Sequence, residues 1–222
     1  MVAAVLDVQT PEGLARVHRH DPPPGVATVA TLALGHGAGG GIQAADLVAV
    51  AATAPGAGWR VLLVEQPWRV AGRKIATPPP RLDLAWLGIF GGPEADPELV
   101  SGPLVQGGRS AGARVACRTA AAVGATAVAC LSFPLHPPGR PERSRIAELA
   151  GARVPVLVVQ GSRDPFGNGD EIRAALSEEL LAGDGTRADV RIVDVVGDHS
   201  LSRSSTVVAG AVLGWLAELA PA

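Results

Sequence analysis

Apolar and polar positions alternate in two short blocks at the start of this chain, then give way to unbroken apolar runs. Val2–Val8 and Gly13–Arg19 alternate around Pro11-Glu12-Gly13, the pattern of an antiparallel hairpin with one covered face. Val26–Leu34, Trp59–Glu65, Pro103–Gly107, Thr126–Leu131 and Val154–Gln160 read as strands, and Ala188–Val196 as a further one. Continuous apolarity of this kind is expected where a strand is covered on both faces. Helical patterns lie between them, at Ile42–Ala54, Arg81–Phe90, Ser110–Val123, Arg145–Ala150, Asp170–Leu181 and Ser202–Leu219, with Glu94–Val100 as an extra helical turn. Pro55-Gly56 closes the first helix and Gly91-Gly92-Pro93 the second. Such alternation predicts an α/β fold: a mostly parallel central sheet with helices on both faces, edged by the antiparallel hairpin. No repeat or linker interrupts it, so one domain over 1–222 is expected.

Composition narrows the function classes. A net charge of −2 and a pI near 6.2 argue against a nucleic-acid partner. The longest apolar runs are too short to span a bilayer, and the N-terminus meets Asp7 early without a basic segment before it. A cytoplasmic protein with no membrane partner is the expectation. Cys117 and Cys130 are the two cysteines, and both fall in apolar patterns that suit buried free thiols. The five histidines are dispersed and no C-x-x-C spacing occurs, so neither a metal nor a cofactor is expected. Nothing in the sequence fixes an oligomeric state.

Four loops carry chemistry. Gly108-Arg109-Ser110-Ala111-Gly112 reads G-x-S-x-G, in which a serine stands on a sharp turn from strand to helix. About one random chain in six of this composition would carry the pattern, so its context decides. Here an apolar strand runs into it and a helical pattern runs out. Read alone, Ser110 is better taken as the N-cap of that helix. Asp164 lies just past a buried strand and His199 just before the last helix, in the order Ser, Asp, His. A serine hydroxyl is a poor nucleophile without a base in reach, and His199 would be that base. Asp164 would hold its tautomer, although an aspartate before Pro165 also opens turns. Asp198 adjoins His199 too closely for its carboxylate to align with the ring. His18 and His20 fall on the opening hairpin and read as surface residues.

Upstream, His36-Gly37-Ala38-Gly39-Gly40 follows a strand. The backbone N–H of Ala111 together with that of Ala38, or of Gly39, would form a pair of donors for a developing oxyanion. The competing reading is a glycine-rich anion loop at a helix start, although no Gly-Lys-Ser/Thr follows it. Arg69, Arg73, Lys74 and Arg109 either face a pocket mouth or are solvated surface charge. Trp68, Phe133, Leu135, His136 and Phe166 suit a pocket wall and a core equally, and His36 joins the pocket candidates. Pro67–Pro80 and Ser132–Arg143, the longest irregular stretches, both follow strand ends, where ligands bind in open α/β sheets.

With these pieces, the chain resembles the α/β-hydrolase superfamily over nearly its full length. It resembles most its small capless branch of dienelactone-hydrolase-like and testis-expressed-type predicted hydrolases. The resemblance rests on Leu34–Gly40, Gly107–Arg114, Phe133–Glu142, Gln160–Gly167 and Gly197–Ser200. It implies Ser110, Asp164 and His199 as the catalytic triad, and a single-domain α/β-hydrolase fold without a substantial cap. A serine stands where better-known dienelactone hydrolases carry cysteine, which separates this chain from that chemistry. Only Ser132–Arg143 and a short helix occupy the usual place of a cap. The expectation is a shallow, open site acting on small or exposed acyl esters or thioesters through an acyl-enzyme. Two other functions fit the same residues: a non-catalytic binding or scaffold protein on a hydrolase fold, and an acyltransferase.

Overall fold

In a computed structural model, residues 4–92, 98–182 and 189–219 are described. Eight strands form one sheet: β1 (Ala4–Thr10), β2 (Gly13–His20), β3 (Ala30–Gly35), β4 (Trp59–Glu65), β5 (Leu104–Arg109), β6 (Ala127–Leu131), β7 (Val156–Gly161) and β8 (Val190–Val195), in the order β1-β2-β4-β3-β5-β6-β7-β8. β1 and β2 pair antiparallel, as do β2 and β4; every other pair is parallel. The hairpin therefore edges an otherwise parallel sheet, as the alternation predicted.

The helices are α1 (Ala45–Thr53), α2 (Pro67–Val70), α3 (Pro79–Phe90), α4 (Ala111–Thr119), α5 (Ile146–Ala150), α6 (Gly169–Ala182) and α7 (Ser205–Leu219). On one face, α1 and α7 cover β3, β4 and β6 through Leu32, Leu47, Val61, Val208 and Trp215. On the other, α3 packs under the hairpin through Trp86, Val17 and Leu62, and α4, α5 and α6 close on Val128, Val158 and Phe133. Residues of β3, β6 and β7 are buried throughout, which is why these strands read as unbroken apolar runs.

Several boundaries differ from the sequence reading. β3 begins at Ala30, not Val26, because Ala30 pairs with Trp59, the first residue of β4, and no strand residue stands opposite 26–29. The Val26 N–H turns back to Pro23 instead. α3 starts two residues earlier than expected, at Pro79, since proline is tolerated in a first turn. α2 sits inside the stretch expected to be loop, again with proline leading it. α4 stops at Thr119 ahead of Gly124, which has a φ of 66°. The last helical stretch opens with a 3-10 turn at Ser202–Ser204. Most of Glu94–Val100 and the start of Ala188–Val196 lie outside the described residues. His18 and His20 are half-buried rather than surface residues, because β2 lies inside the sheet and β1 forms its edge.

Between β6 and β7 there is only the loop 132–145 and five-residue α5, so no cap covers the ends of the strands. No helix among the described residues is long and apolar enough to cross a membrane.

Candidate active site

Parallel strands end on one edge of a sheet, and four of these ends carry the predicted residues. β3 leads into His36–Gly40, β5 into Ser110, β7 into Asp164 and β8 into His199. Glycines let the four loops converge. A Cβ on Gly107 would lie 2.1 Å from the Ala129 carbonyl oxygen, and one on Gly112 would lie 2.4 Å from that of Gly35. Side chains at these two places would push β5 from β6 and α4 from β3. A Cβ on Gly161 would meet the Asp198 carbonyl oxygen at 2.6 Å, so this glycine lets the loop bearing His199 settle on the end of β7.

Ser110 has φ 53° and ψ −110°, a backbone conformation rare for a residue with a side chain. It stands at the head of α4 yet makes no capping hydrogen bond. Its Oγ instead lies 2.9 Å from His199 Nε2, while its N–H is held by the Leu131 carbonyl at 2.9 Å. The Ser110 hydroxyl therefore faces His199 and does not cap α4.

His199 Nδ1 lies 2.8 Å from Asp164 Oδ2. A carboxylate only accepts, so Nδ1 donates and Nε2 is left to accept the Ser110 hydroxyl proton. Asp164 makes two kinds of contact. Its Oδ1 accepts the Phe166 N–H at 2.9 Å in a turn, and its Oδ2 faces the imidazole. Asp198 binds the N–H and hydroxyl of Ser200 and stays away from the ring.

One residue that sequence reasoning passed over completes this cluster. Gln160, fully buried at the end of β7, has its amide nitrogen within 3.2 Å of Asp164 Oδ2 and of the Phe133 and Gly167 carbonyls. It ties the Phe133 and Gly167 backbone to the Asp164 carboxylate. The available signal was a glutamine closing an otherwise apolar strand.

The loop after β3 approaches Ser110 closely. A Cβ on Gly37 would lie 3.3 Å from both Ser110 Cβ and Arg109 Nη1. His36 organises this loop from below. Its Nε2 accepts the Gln66 N–H at 3.2 Å, so Nδ1 carries the proton and donates to the Gly37 carbonyl at 2.9 Å. Burial pushes its pKa below the ordinary 6.5. His20 is shifted the same way, by burial first and then by His18. A depressed histidine pKa favours the neutral folded state, so this stability is full above 6.5 and is lost as pH falls below it. Melting temperatures should therefore fall from pH 7 to pH 5, with a shallower slope in His36→Gln. Equal slopes in the two proteins would contradict this account of His36.

Ala38 and Gly39 are exposed at the loop tip, and Ala111 heads α4, where helix geometry leaves backbone N–H groups without an intrahelical acceptor. Ala38 and Ala111 line one niche of about 10 Å³ with His36, Gln66, Trp68 and Leu82.

The other candidates divide. Phe166 lies against the His199 ring, centroids 4.2 Å apart. Trp68 is buried and meets His36 edge-on at 5.4 Å. Phe133 and Leu135 belong to the core between the sheet, α5 and α6, so of their two readings the structure gives the core one. His136 is buried beside them, its Nδ1 3.0 Å from the Pro137 carbonyl oxygen, and is not part of the niche. Arg69, Arg73 and Lys74 are exposed. Arg109 is neither a pocket cation nor solvated surface charge. Its guanidinium donates to the His199 carbonyl at 2.5 Å and lies 3.1 Å from the fully buried carboxylate of Asp46. It thereby links α1 to the loop that presents His199. Burial raises the Asp46 pKa, and Arg109 opposes that shift. Cys117 and Cys130 are buried free thiols. No group of three or more potential metal ligands occurs among the described residues.

Residues 28–209 match the alpha/beta hydrolase domain family. The chain belongs to the alpha/beta hydrolases. Solved hydrolases share the fold at low identity. XC6422 from Xanthomonas campestris, described as an α/β serine hydrolase without a lid, is 19% identical with a TM-score of 0.70, over 99% of this chain and 96% of its own. A serine hydrolase homologue from Coxiella burnetii is 15% identical with a TM-score of 0.72, over 97% and 98%. Est1E from Butyrivibrio proteoclasticus is 15% identical with a TM-score of 0.68, over 96% and 98%; a second Est1E structure holds ferulic acid. No curated protein matches the chain. Among α/β hydrolases, this one shares the lidless architecture of XC6422.

Proposed function

We propose that this chain is a serine hydrolase that cleaves carboxylic esters, and by the same chemistry thioesters, of small-molecule acyl substrates. The observation that carries the reading is the continuous contact chain from Ser110 Oγ through His199, 2.9 Å to Nε2 and 2.8 Å from Nδ1 to Asp164. His199 takes the hydroxyl proton as Ser110 Oγ bonds to the acyl carbon, and Asp164 stabilises the imidazolium formed. The carbonyl oxygen, now negative, accepts from the backbone N–H of Ala111 and of Ala38 or Gly39. When the intermediate collapses, the bond to the leaving alcohol breaks and His199 returns the proton to it. Water then attacks the acyl-enzyme by the same steps, releasing the acid and restoring Ser110. Est1E, a distant structural relative, holds ferulic acid, which agrees with a carboxylic substrate class.

A fluorophosphonate tests the nucleophile without knowledge of the substrate. Intact-mass analysis should find one adduct on the parent chain and none on Ser110→Ala. An unlabelled, demonstrably folded parent would remove the catalytic reading and leave a binding role on a hydrolase fold.

A further inference from the structure

We infer that Trp68 sets the acyl specificity of this site, restricting it to acetyl-sized groups while leaving the alcohol side open. The inference rests on the serine-hydrolase reading and goes further by naming the substrate class: short-acyl esters of alcohols with little size restriction.

Two cavities meet at one wall. The niche beside Ala38 and Ala111 holds only about 10 Å³, room for roughly one water-sized group. Behind it, toward the turn of the β1–β2 hairpin, lies a cavity of about 380 Å³ lined by Leu14, Pro67, Val70 and Ala85 and rimmed by Arg73 and Arg81. Gln66 and Trp68 line both. Trp68 supplies the bulk of that wall. It is 3% exposed, and its indole is braced by the edge of His36. Pro67 at the head of α2 fixes the start of the turn that presents it. Gln66 contributes the polar part. Its Oε1 is buried without a hydrogen-bond partner, and its Nε2 reaches the Leu82 carbonyl at 3.4 Å.

The opposite side of Ser110 has no such wall. His199 returns the proton to the leaving alcohol, so that group lies on the His199 side. There Phe166 is half-exposed, and Arg163, Pro165, Asp198 and Ser200 are exposed. On this reading the carbonyl oxygen stays at the Ala38 and Ala111 N–H groups, and the acyl substituent points past them toward the Trp68 side of the niche. A chain longer than acetyl meets the Trp68 indole, and a hydrophobic pocket discriminates by roughly 10–200-fold per misfitting methylene.

The test is a series of p-nitrophenyl esters from acetyl to octanoyl, and a second series of acetates with increasingly large alcohols. The parent should favour acetyl over hexanoyl by at least about 100-fold in kcat/KM and be nearly indifferent to the alcohol. Trp68→Ala joins the two cavities, and its hexanoyl-to-acetyl ratio should rise at least about tenfold over that of the parent. Trp68→Leu, which keeps more of the packing, should shift the ratio in the same direction by less, and serves if the alanine variant does not fold. A ratio equal to the parent's in the folded variants, or a parent that takes octanoyl as well as acetyl, overturns the role of Trp68 and leaves the hydrolase reading intact. A parent with no turnover on any ester and no fluorophosphonate adduct overturns both.

Discussion

Ser110→Ala should lower ester turnover by at least about 10⁴-fold and leave the melting temperature close to that of the parent. The loss is expected because the hydroxyl lies 2.9 Å from the only nitrogen of His199 free to take its proton. Water has no equivalent position, so the variant keeps only binding and the backbone donors. Asp164→Asn should fall by a similar amount for another reason: an amide that donates to the ring stabilises the wrong tautomer. Stability is expected to hold in Ser110→Ala because alanine leaves the positive-φ backbone as it is and removes no capping bond. Ester kinetics and thermal melting on the same samples check both halves. Turnover within tenfold of the parent would show that Ser110 is not the attacking group.

A large stability effect should come from a methyl group at Gly112. Its Cβ would sit 2.4 Å from the Gly35 carbonyl oxygen and 2.5 Å from the carbonyl carbon. These are backbone atoms of β3, paired across to Gly108 of β5, so no rotamer change relieves the clash. Either α4 lifts from the sheet or β3 shifts, and both disturb the elbow. Overpacking against backbone of this kind costs about 3 kcal/mol or more. In a chain of this size that is roughly 6–12 °C in melting temperature. Gly210→Ala is the control, because a Cβ there meets nothing within 4 Å. A Gly112→Ala melting point within 2 °C or so of the control would refute the close α4–β3 approach.

The fold was legible because local pattern and burial agree. β4 was read residue for residue from Trp59–Glu65, since the buried stretch 61–64 leaves a continuous apolar signature. Boundaries failed where neighbours decide them. Val26–Val29 are as apolar as β3, but a strand needs a partner, and the adjacent strand does not extend that far. Of the proposed site, Ser110, Asp164 and His199 were each visible as a polar residue directly past an apolar element. Gln160, Gln66 and Asp46 were not. A buried polar side chain in an apolar run announces only that it needs a partner, and Arg109 shows how far away that partner sits: 63 residues from Asp46 and 90 from His199.

The sequence by itself determined the order of strands and helices, the parallel sheet with its hairpin edge, and the loops that carry polar side chains. These follow from periodicity and from glycine and proline placement, which act over a few residues. Only the tertiary structure decided which candidates meet. It brought His199 within 2.8 Å of Asp164, put Phe133 in the core and Trp68 in the wall of the niche, and tied Arg109 to α1. Those outcomes depend on distances between loops, which are set by strand register and by clearances at Gly107, Gly112 and Gly161. Spacing along the chain carries no such distance, because residues far apart in sequence become neighbours only when the sheet is assembled.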